Sequence, residues 1–368
     1  MSGDEQKYIQ QAFSDNWVAP LGPNVDLFES MLETWYGNNT HIAALASGTS
    51  AVHLGLLQLG VQPGDEVICQ SFTFCASANP ITYCGAKPIF VDSEPETWNM
   101  SPELLEEAIK DRIEKTGRKP KAIIPVHLYG MPAKMDEIQS VAQKYDIAIM
   151  EDAAEAQGSQ YKGKLCGTFG EFGAMSFNGN KMISTSGGGA LICKSAEAKA
   201  KTIFYATQAR EPHAYYEHKE IGYNYRLSNI CAGVGCGQMS VLDAHIAHHR
   251  HVHNMYVDLL ADVNGIKVHS NPNDKYNSNY WLTTILVDSA KFGIDSSDLN
   301  LKLNSLGIES RPLWKPMHLQ PIYKNAPAYV NGVSENLFKQ GLCLPSGPCV
   351  TDNDVKYIVR IIKESIIR

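Results

Sequence analysis

The stretch Ile147-Ala148-Ile149-Met150-Glu151-Asp152-Ala153-Ala154-Glu155 decides the fold of this chain. Four apolar residues without polar alternation predict a strand buried on both faces, and such strands belong to parallel sheets covered by helices. The run ends on carboxylates. In open α/β sheets, the carboxyl ends of the strands are where ligands bind. Working outward, Glu66-Val67-Ile68-Cys69, Pro88-Ile89-Phe90-Val91-Asp92, Ala122-Ile123-Ile124-Pro125-Val126, Gly173-Ala174-Met175-Ser176-Phe177 and Ala190-Leu191-Ile192-Cys193 read as further strands. Helical patterns over 51–59, 102–115 and 135–145 lie between them. This alternation predicts an α/β fold with a mostly parallel central sheet.

Residues 229–260 read as one long helix leading out of the large domain. Beyond it, 280–287 reads as a strand, Asp295 starts a helix that Gly307 stops, and Thr351-Asp352-Asn353-Asp354 caps a last helix through Ile367, with Lys363 and Arg368 at its basic end. These elements predict a smaller C-terminal α+β domain, with the division falling at 1–245 and 246–368. A chain of 368 residues exceeds one comfortable core, which agrees with two domains.

Hydrophobic residues make up 44% and charged residues 19%, a soluble globular composition. The net charge of -7 argues against a nucleic-acid partner, because no basic excess exists to displace counterions from phosphates. Nine scattered cysteines, odd in number and without a C-x-x-C pair, fit reduced thiols in a cytoplasmic protein. The polar start Met1-Ser2-Gly3-Asp4-Glu5-Gln6-Lys7 lacks the regions of a signal peptide. Residues 42–61 carry no formal charge, but their Ser, Gly, Thr, Gln and His content excludes a membrane span and reads as loop plus buried helix.

The chemistry centres on Asp152 and Lys181. A carboxylate after an apolar run is costly to bury unless paired. Lys181 stands between the turn Asn178-Gly179-Asn180 and the cluster Gly187-Gly188-Gly189, which leaves room for a bulky ligand. That pair suits pyridoxal phosphate (PLP): a lysine forms a Schiff base with the aldehyde, and a carboxylate keeps the ring nitrogen protonated. Taken singly, Asp152 also reads as a helix cap or exposed strand end, and Lys181 as a solvated lysine. Ser47-Gly48-Thr49-Ser50 precedes a helix whose N-terminus suits a phosphate; taken alone it reads first as ordinary capping, and only its neighbours give the phosphate reading force. Phe74 suits stacking on a flat cofactor, while Phe72 and Phe74 both also read as core. His245, His248, His249, His251 and His253 crowd one helix without a metal-ligand pattern and read as a solvated or interface face. No dinucleotide fingerprint or P-loop is present.

Together these segments resemble the DegT/DnrJ/EryC1/StrS family of nucleotide-sugar aminotransferases over almost the whole chain. The likeness runs through SGTSAVHLGL from Ser47, SFTFCASANPITYCGAKPIFVD from Ser71, HLYG from His127, EDAAEAQGSQYKGKLCGTFGEFGAMSF from Glu151, EIGYNYRLSNICAGVG from Glu220 and RPLWKPMHLQPIY from Arg311. The resemblance implies the fold-type-I aminotransferase architecture and a homodimer with active sites shared across its interface. By position, it implies Lys181 as the Schiff-base lysine, Asp152 at the ring nitrogen, Glu155 near the cofactor hydroxyl and Phe74 on the ring. Gly48, Thr49 and Ser176 are then at the phosphate, with Asn224 reaching the phosphate of the neighbouring subunit. A related dehydratase branch carries histidine at the lysine position, so Lys181 favours transamination.

A narrower likeness, in NGNKMISTSGGGAL from Asn178, ATQAREPHAYYEHKEIGYNYR from Ala206 and Trp314-Lys315-Pro316-Met317-His318, is to the transaminases of UDP-N-acetylbacillosamine biosynthesis. It implies L-glutamate as donor and a UDP-2-acetamido-4-keto-2,6-dideoxyhexose as acceptor. Asn180, Arg311, Lys315 and His318 are then at the diphosphate or sugar, with Trp314 packed against it. Relatives usually carry a short segment before the position of Met1, which bears on the edge of the sugar pocket. Two other readings are a GDP-4-keto-6-deoxymannose aminotransferase making perosamine and a regulatory protein that keeps the fold without catalysis. The intact Asp152 and Lys181 argue against the last.

Overall fold

The computed structural model describes residues 1–37 and 39–366. Its centre is an eight-stranded sheet in the order His41–Leu45, Gly189–Cys193, Phe172–Ser176, Ala148–Asp152, Ala122–Ile124, Glu66–Gln70, Lys87–Val91, Ala328–Tyr329. Gly189–Cys193 runs antiparallel to both neighbours, and the remaining pairs are parallel. The expected mostly parallel α/β sheet is therefore present, with all six expected strands in it.

His41–Leu45 is a strand where the sequence reads as loop. It holds one β-branched residue and two alanines, so its own preference for a strand is weak. Pairing with Gly189–Cys193, in the register His41 to Cys193, is what extends it. The helix Gly48–Gln58 follows at once. Ser47 caps it by accepting the Ser50 N–H, and residues Ser50 to Leu56 are all buried against the sheet. Gly55 permits that close approach, since a Cβ there would lie 2.6 Å from the Met150 sulfur.

The expected single helix over 229–260 is two, Asn229–Met239 and Leu242–Leu260. Gly235 and Gly237 of the first pack so closely on Pro23–Tyr36 and Glu5–Ser14 that a Cβ would come within 2.7 Å of the Phe28 ring and of the Glu5 backbone. The second must turn to place Val252, Tyr256 and Leu260 in another core. The chain breaks direction at Ser240 and Val241, where Val241 takes φ −118° and ψ 4°.

The histidine face is also different from expectation. His249 and His253 are buried, and burial lowers their proton affinity to about 4 and about 3. His245 bonds the Met182 carbonyl and His253 stacks on Tyr280 at 3.5 Å. These three are packing groups on the buried side of the helix, whereas His251 is exposed as expected and meets Asp352 at 2.8 Å.

The C-terminal sheet runs Ile266–Val268, Thr283–Val287, Gly341–Leu344, Arg311–Pro312, all antiparallel. Asp295 caps Ser296–Ser305, and a Thr351/Asp354 capping box starts Asp352–Lys363. The expected end at Ile367, and Arg368, lie outside the described residues. The helix Leu242–Leu260 spans the position 245/246 expected as the domain boundary, and Ala328–Tyr329 returns to the edge of the large sheet. No described helix is long and apolar enough to cross a membrane.

Candidate active site

A cavity of about 340 Å3 opens at the carboxyl ends of the parallel strands. Asp152 ends the strand Ala148–Asp152 and is buried. Its Oδ2 accepts the Ser77 hydroxyl at 2.5 Å and its Oδ1 accepts the Ala154 N–H at 3.1 Å. Ser77 spends its single proton on the carboxylate, so the 2.7 Å contact with Thr73 must be a bond donated by Thr73. A carboxylate has about four lone-pair sites. Two are used here, which leaves capacity for a donor in the cavity.

Lys181 lines the same cavity. Its Nζ is 3.2 Å from Oε1 of Glu155 and 4.0 Å from the centre of the Trp281 indole. Oε2 of Glu155 accepts the Tyr129 N–H at 2.7 Å. Burial raises the proton affinity of Glu155 above the usual carboxylate range, the Asp152 charge adds to this, and Lys181 and the Tyr129 N–H oppose it. Tyr129 reaches Glu155 through a left-handed backbone, φ +53°. A buried network holds that turn. His127 Nδ1 accepts the Ala133 N–H at 3.1 Å, so its proton is on Nε2 and goes to Glu151 at 2.9 Å. Glu151 also accepts the N–H groups of Gly167 and Gly170 at 2.8 and 2.6 Å.

At the other end of the cavity the helix Gly48–Gln58 points its N-terminus inward. Ser50 and Ala51 donate to Ser47, whereas the N–H groups of Gly48 and Thr49 find no acceptor among the described residues. A Cβ at Gly48 would lie 3.1 Å from that of Ser176, which is why glycine stands where the helix meets the strand end. Unpaired N–H groups and the positive end of the helix dipole suit a phosphate. Phe72 is core, whereas Phe74 is 55% exposed and lines the cavity, its ring 5.2 Å from that of Trp314.

The structure thus brings Gly48, Thr49, Phe74, Asp152, Glu155, Ser176, Asn180, Lys181 and Trp314 to one cavity. A second cavity of about 380 Å3 shares Asn180, Lys181 and Trp281 with the first and includes Arg311, whose guanidinium pairs with Glu309. Lys315 is exposed and lines neither. His318 also lines neither: its Nδ1 meets the Ser71 hydroxyl at 2.7 Å and its Nε2 meets Glu335 at 3.4 Å. Asn224 is exposed, bridged to Thr207, and outside both cavities. Sequence reasoning missed Thr73, Ser77, Tyr129 and Trp281. Thr73 and Ser77 lie within the SFTFCASANP segment next to Phe74, but nothing local marks a serine 75 residues from its carboxylate.

Every part that pyridoxal phosphate needs is present: an anion site at a helix N-terminus, a buried carboxylate with free acceptor capacity, an amine and a flat aromatic. The fold and this site define a PLP-dependent aminotransferase. A family model described as "DegT/DnrJ/EryC1/StrS aminotransferase family" matches residues 1–363, and the chain belongs to this family of sugar aminotransferases. Among similar proteins, the "Putative pyridoxal phosphate-dependent aminotransferase EpsN" of Bacillus subtilis is 48% identical over 366 residues, covering 98% of this chain and 93% of its own length. The "GDP-perosamine synthase" of Escherichia coli O157:H7 is 35% identical, covering 99% of this chain and 96% of its own. A crystal structure of a DegT DnrJ EryC1 StrS aminotransferase from Brucella abortus superposes with TM-score 0.92 at 31% identity, covering 100% of this chain and 96% of that one.

Proposed function

We propose that this chain moves the amino group of L-glutamate to the 4-keto carbon of a UDP-2-acetamido-4-keto-2,6-dideoxyhexose, giving a UDP-4-amino-4,6-dideoxy-N-acetylhexosamine. The observation that carries the reading is the meeting of Asp152, Glu155 and Lys181 with an unpaired helix N-terminus in one cavity. Pyridoxal phosphate, when bound, supplies the electron sink that stabilises a carbanion-like centre beside its ring.

The chain's residues supply the rest. The Gly48 and Thr49 N–H groups and the Ser176 hydroxyl hold the phosphate, and Asn224 serves that of a neighbouring subunit. Asp152, fixed by Ser77 and Ala154, would accept a hydrogen bond from the ring nitrogen, Glu155 would serve the cofactor hydroxyl, and Phe74 would stack on the ring. Lys181 Nζ would be the amine that holds the cofactor and, when free, would hold or move a proton at the substrate carbon. Glutamate enters and leaves as 2-oxoglutarate, and the ketosugar then takes its place. Trp314 gives the sugar an apolar face, while Asn180 and Arg311 meet it or its diphosphate from the adjoining cavity. Lys315 and His318 are left for parts of the nucleotide that extend past both cavities.

The UDP acceptor rests on the sequence likeness through Asn178 to Leu191 and Ala206 to Arg226. The second reading is a GDP-4-keto-6-deoxymannose aminotransferase, supported by the 35% identity to a GDP-perosamine synthase. We also propose a homodimer with shared sites. Asn224 is outside its own cavity, on a segment that exposes Tyr215, Tyr216 and Ile221. Nine free cysteines support a cytoplasmic setting. The deciding experiment offers purified protein glutamate with a panel of UDP- and GDP-4-ketosugars and identifies the amino sugar by NMR. The Lys181→Ala variant should lose turnover and borohydride-reducible PLP. Near-normal turnover in that variant would refute the site.

A further inference from the structure

Lys181 is held by two groups, and one of them carries no charge. Its Nζ lies 4.0 Å from the centre of the Trp281 indole as well as 3.2 Å from Glu155. An indole face attracts an ammonium through its quadrupole, most strongly where water is excluded, and Trp281 is buried. The edge of the same indole donates Nε1–H to the carbonyl of Asn180, the residue before the lysine, at 2.6 Å. One side chain thus touches both the amine and the backbone that carries it.

The chain is bent to present that indole. Tyr280 sits at φ +50°, a left-handed conformation that a bulky residue adopts only where its surroundings impose it. Its ring is stacked on His253 at 3.5 Å and its hydroxyl accepts the Asn271 N–H at 3.1 Å. On the same side, Asn279 accepts the Trp281 N–H and donates to the carbonyls of Glu155 and Gln157, each at 2.9 Å or less. The indole is therefore tied to the segment that carries Glu155, the second partner of the amine.

We propose that Trp281 is a positioning residue for Lys181: its face holds the Nζ ammonium against Glu155, and its Nε1–H fixes the Asn180 carbonyl that sets where the lysine emerges. When the amine becomes nucleophilic, an Nζ–H bond breaks and an O–H bond forms at Oε1 of Glu155, and the indole keeps Nζ in place through that transfer. This role rests on Lys181 being the lysine that bonds the cofactor.

The test compares wild type, Trp281→Phe and Trp281→Leu. Covalent capture of PLP by apo-protein is followed by absorbance and stopped with borohydride, and peptide mass spectrometry reads the site of attachment. Acetic anhydride labelling of Lys181 in apo-protein is scored against the exposed Lys110, and kcat and KM for glutamate are measured on loaded protein. Trp281→Leu should capture PLP about tenfold more slowly and label Lys181 several-fold faster, with kcat reduced and KM little changed. Trp281→Phe, which keeps an aromatic face but loses the Nε1–H, should label Lys181 within about threefold of wild type and fall between wild type and Trp281→Leu in capture. Wild-type capture and labelling in Trp281→Leu would overturn the proposal, as would labelling of Lys181 in Trp281→Phe as fast as in the leucine variant. Trp281→Met replaces the leucine variant if that one fails to fold. Wild-type attachment at a lysine other than Lys181 would refute the proposed function instead.

Discussion

Replacing Ser77 with alanine removes one hydrogen bond whose loss should be felt mainly when the cofactor is bound. Ser77 Oγ donates to Asp152 Oδ2 at 2.5 Å, the short distance expected of an O–H bond to a carboxylate. A hydrogen bond to a charged group contributes about 1.5–3 kcal/mol. In the apo-protein, water entering the cavity replaces part of it. With a ring nitrogen over Asp152 that water is excluded, so the cost falls on the loaded state. At about 1.4 kcal/mol per factor of ten, Ser77→Ala should weaken PLP affinity roughly 10- to 150-fold. Thr73 also loses its acceptor, whereas Thr73→Val removes only the outer bond of the chain and should cost about threefold or less. The assay is absorbance titration of apo-protein with PLP, alongside thermal melts of the same samples. A Ser77→Ala dissociation constant within about twofold of wild type would show that Ser77 does not hold Asp152 for the ring.

Glu155→Gln should flatten the pH profile of apo-protein stability. Burial raises the carboxyl's proton affinity in the folded state above the ordinary value of 4.5, so its contribution is full below that value and is lost as pH rises through the folded-state value. The variant, which cannot ionise, should gain on wild type as melts move upward from about pH 4.5, and parallel profiles would refute this. Gly237→Ala sets a Cβ 2.7 Å from the Glu5 backbone and should destabilise by about 1–3 kcal/mol in urea melts, with m unchanged. Arg226→Ala strips a buried partner from Glu29 and leaves the Ala44 carbonyl with only the Leu227 N–H at 3.5 Å; Lys199, 3.1 Å from Glu29, compensates in part, so a loss near about 3 kcal/mol is expected by the same measurement.

Much of the site was legible because its chemistry is local in sequence. Asp152 ends one strand, Glu155 follows it, Lys181 stands just past the end of Phe172–Ser176, and Ser47 caps the earlier helix that meets them. Strand runs of branched residues, the Asp295 and Thr351 caps and the helix over Met135–Tyr145 declare themselves through short-range preference. What remained hidden depends on partners far along the chain. His41–Leu45 is a strand only because Gly189–Cys193 lies beside it. The break at Ser240 serves two cores that no window of sequence contains. His249 and His253 of Leu242–Leu260 look polar in the chain and are buried in the fold.

Periodicity in the chain was enough for the α/β architecture, the pairing of Asp152 with Lys181 for the cofactor chemistry, and the likeness of whole motifs for the family. Which groups hold the reactive ones emerges from the fold. Ser77 reaches Asp152 across 75 residues, and the Trp281 indole reaches the Asn180 carbonyl across 101. The physical reason is that hydrogen bonds and cation–π contacts act over a few ångströms in space, and only folding brings such distant residues that close.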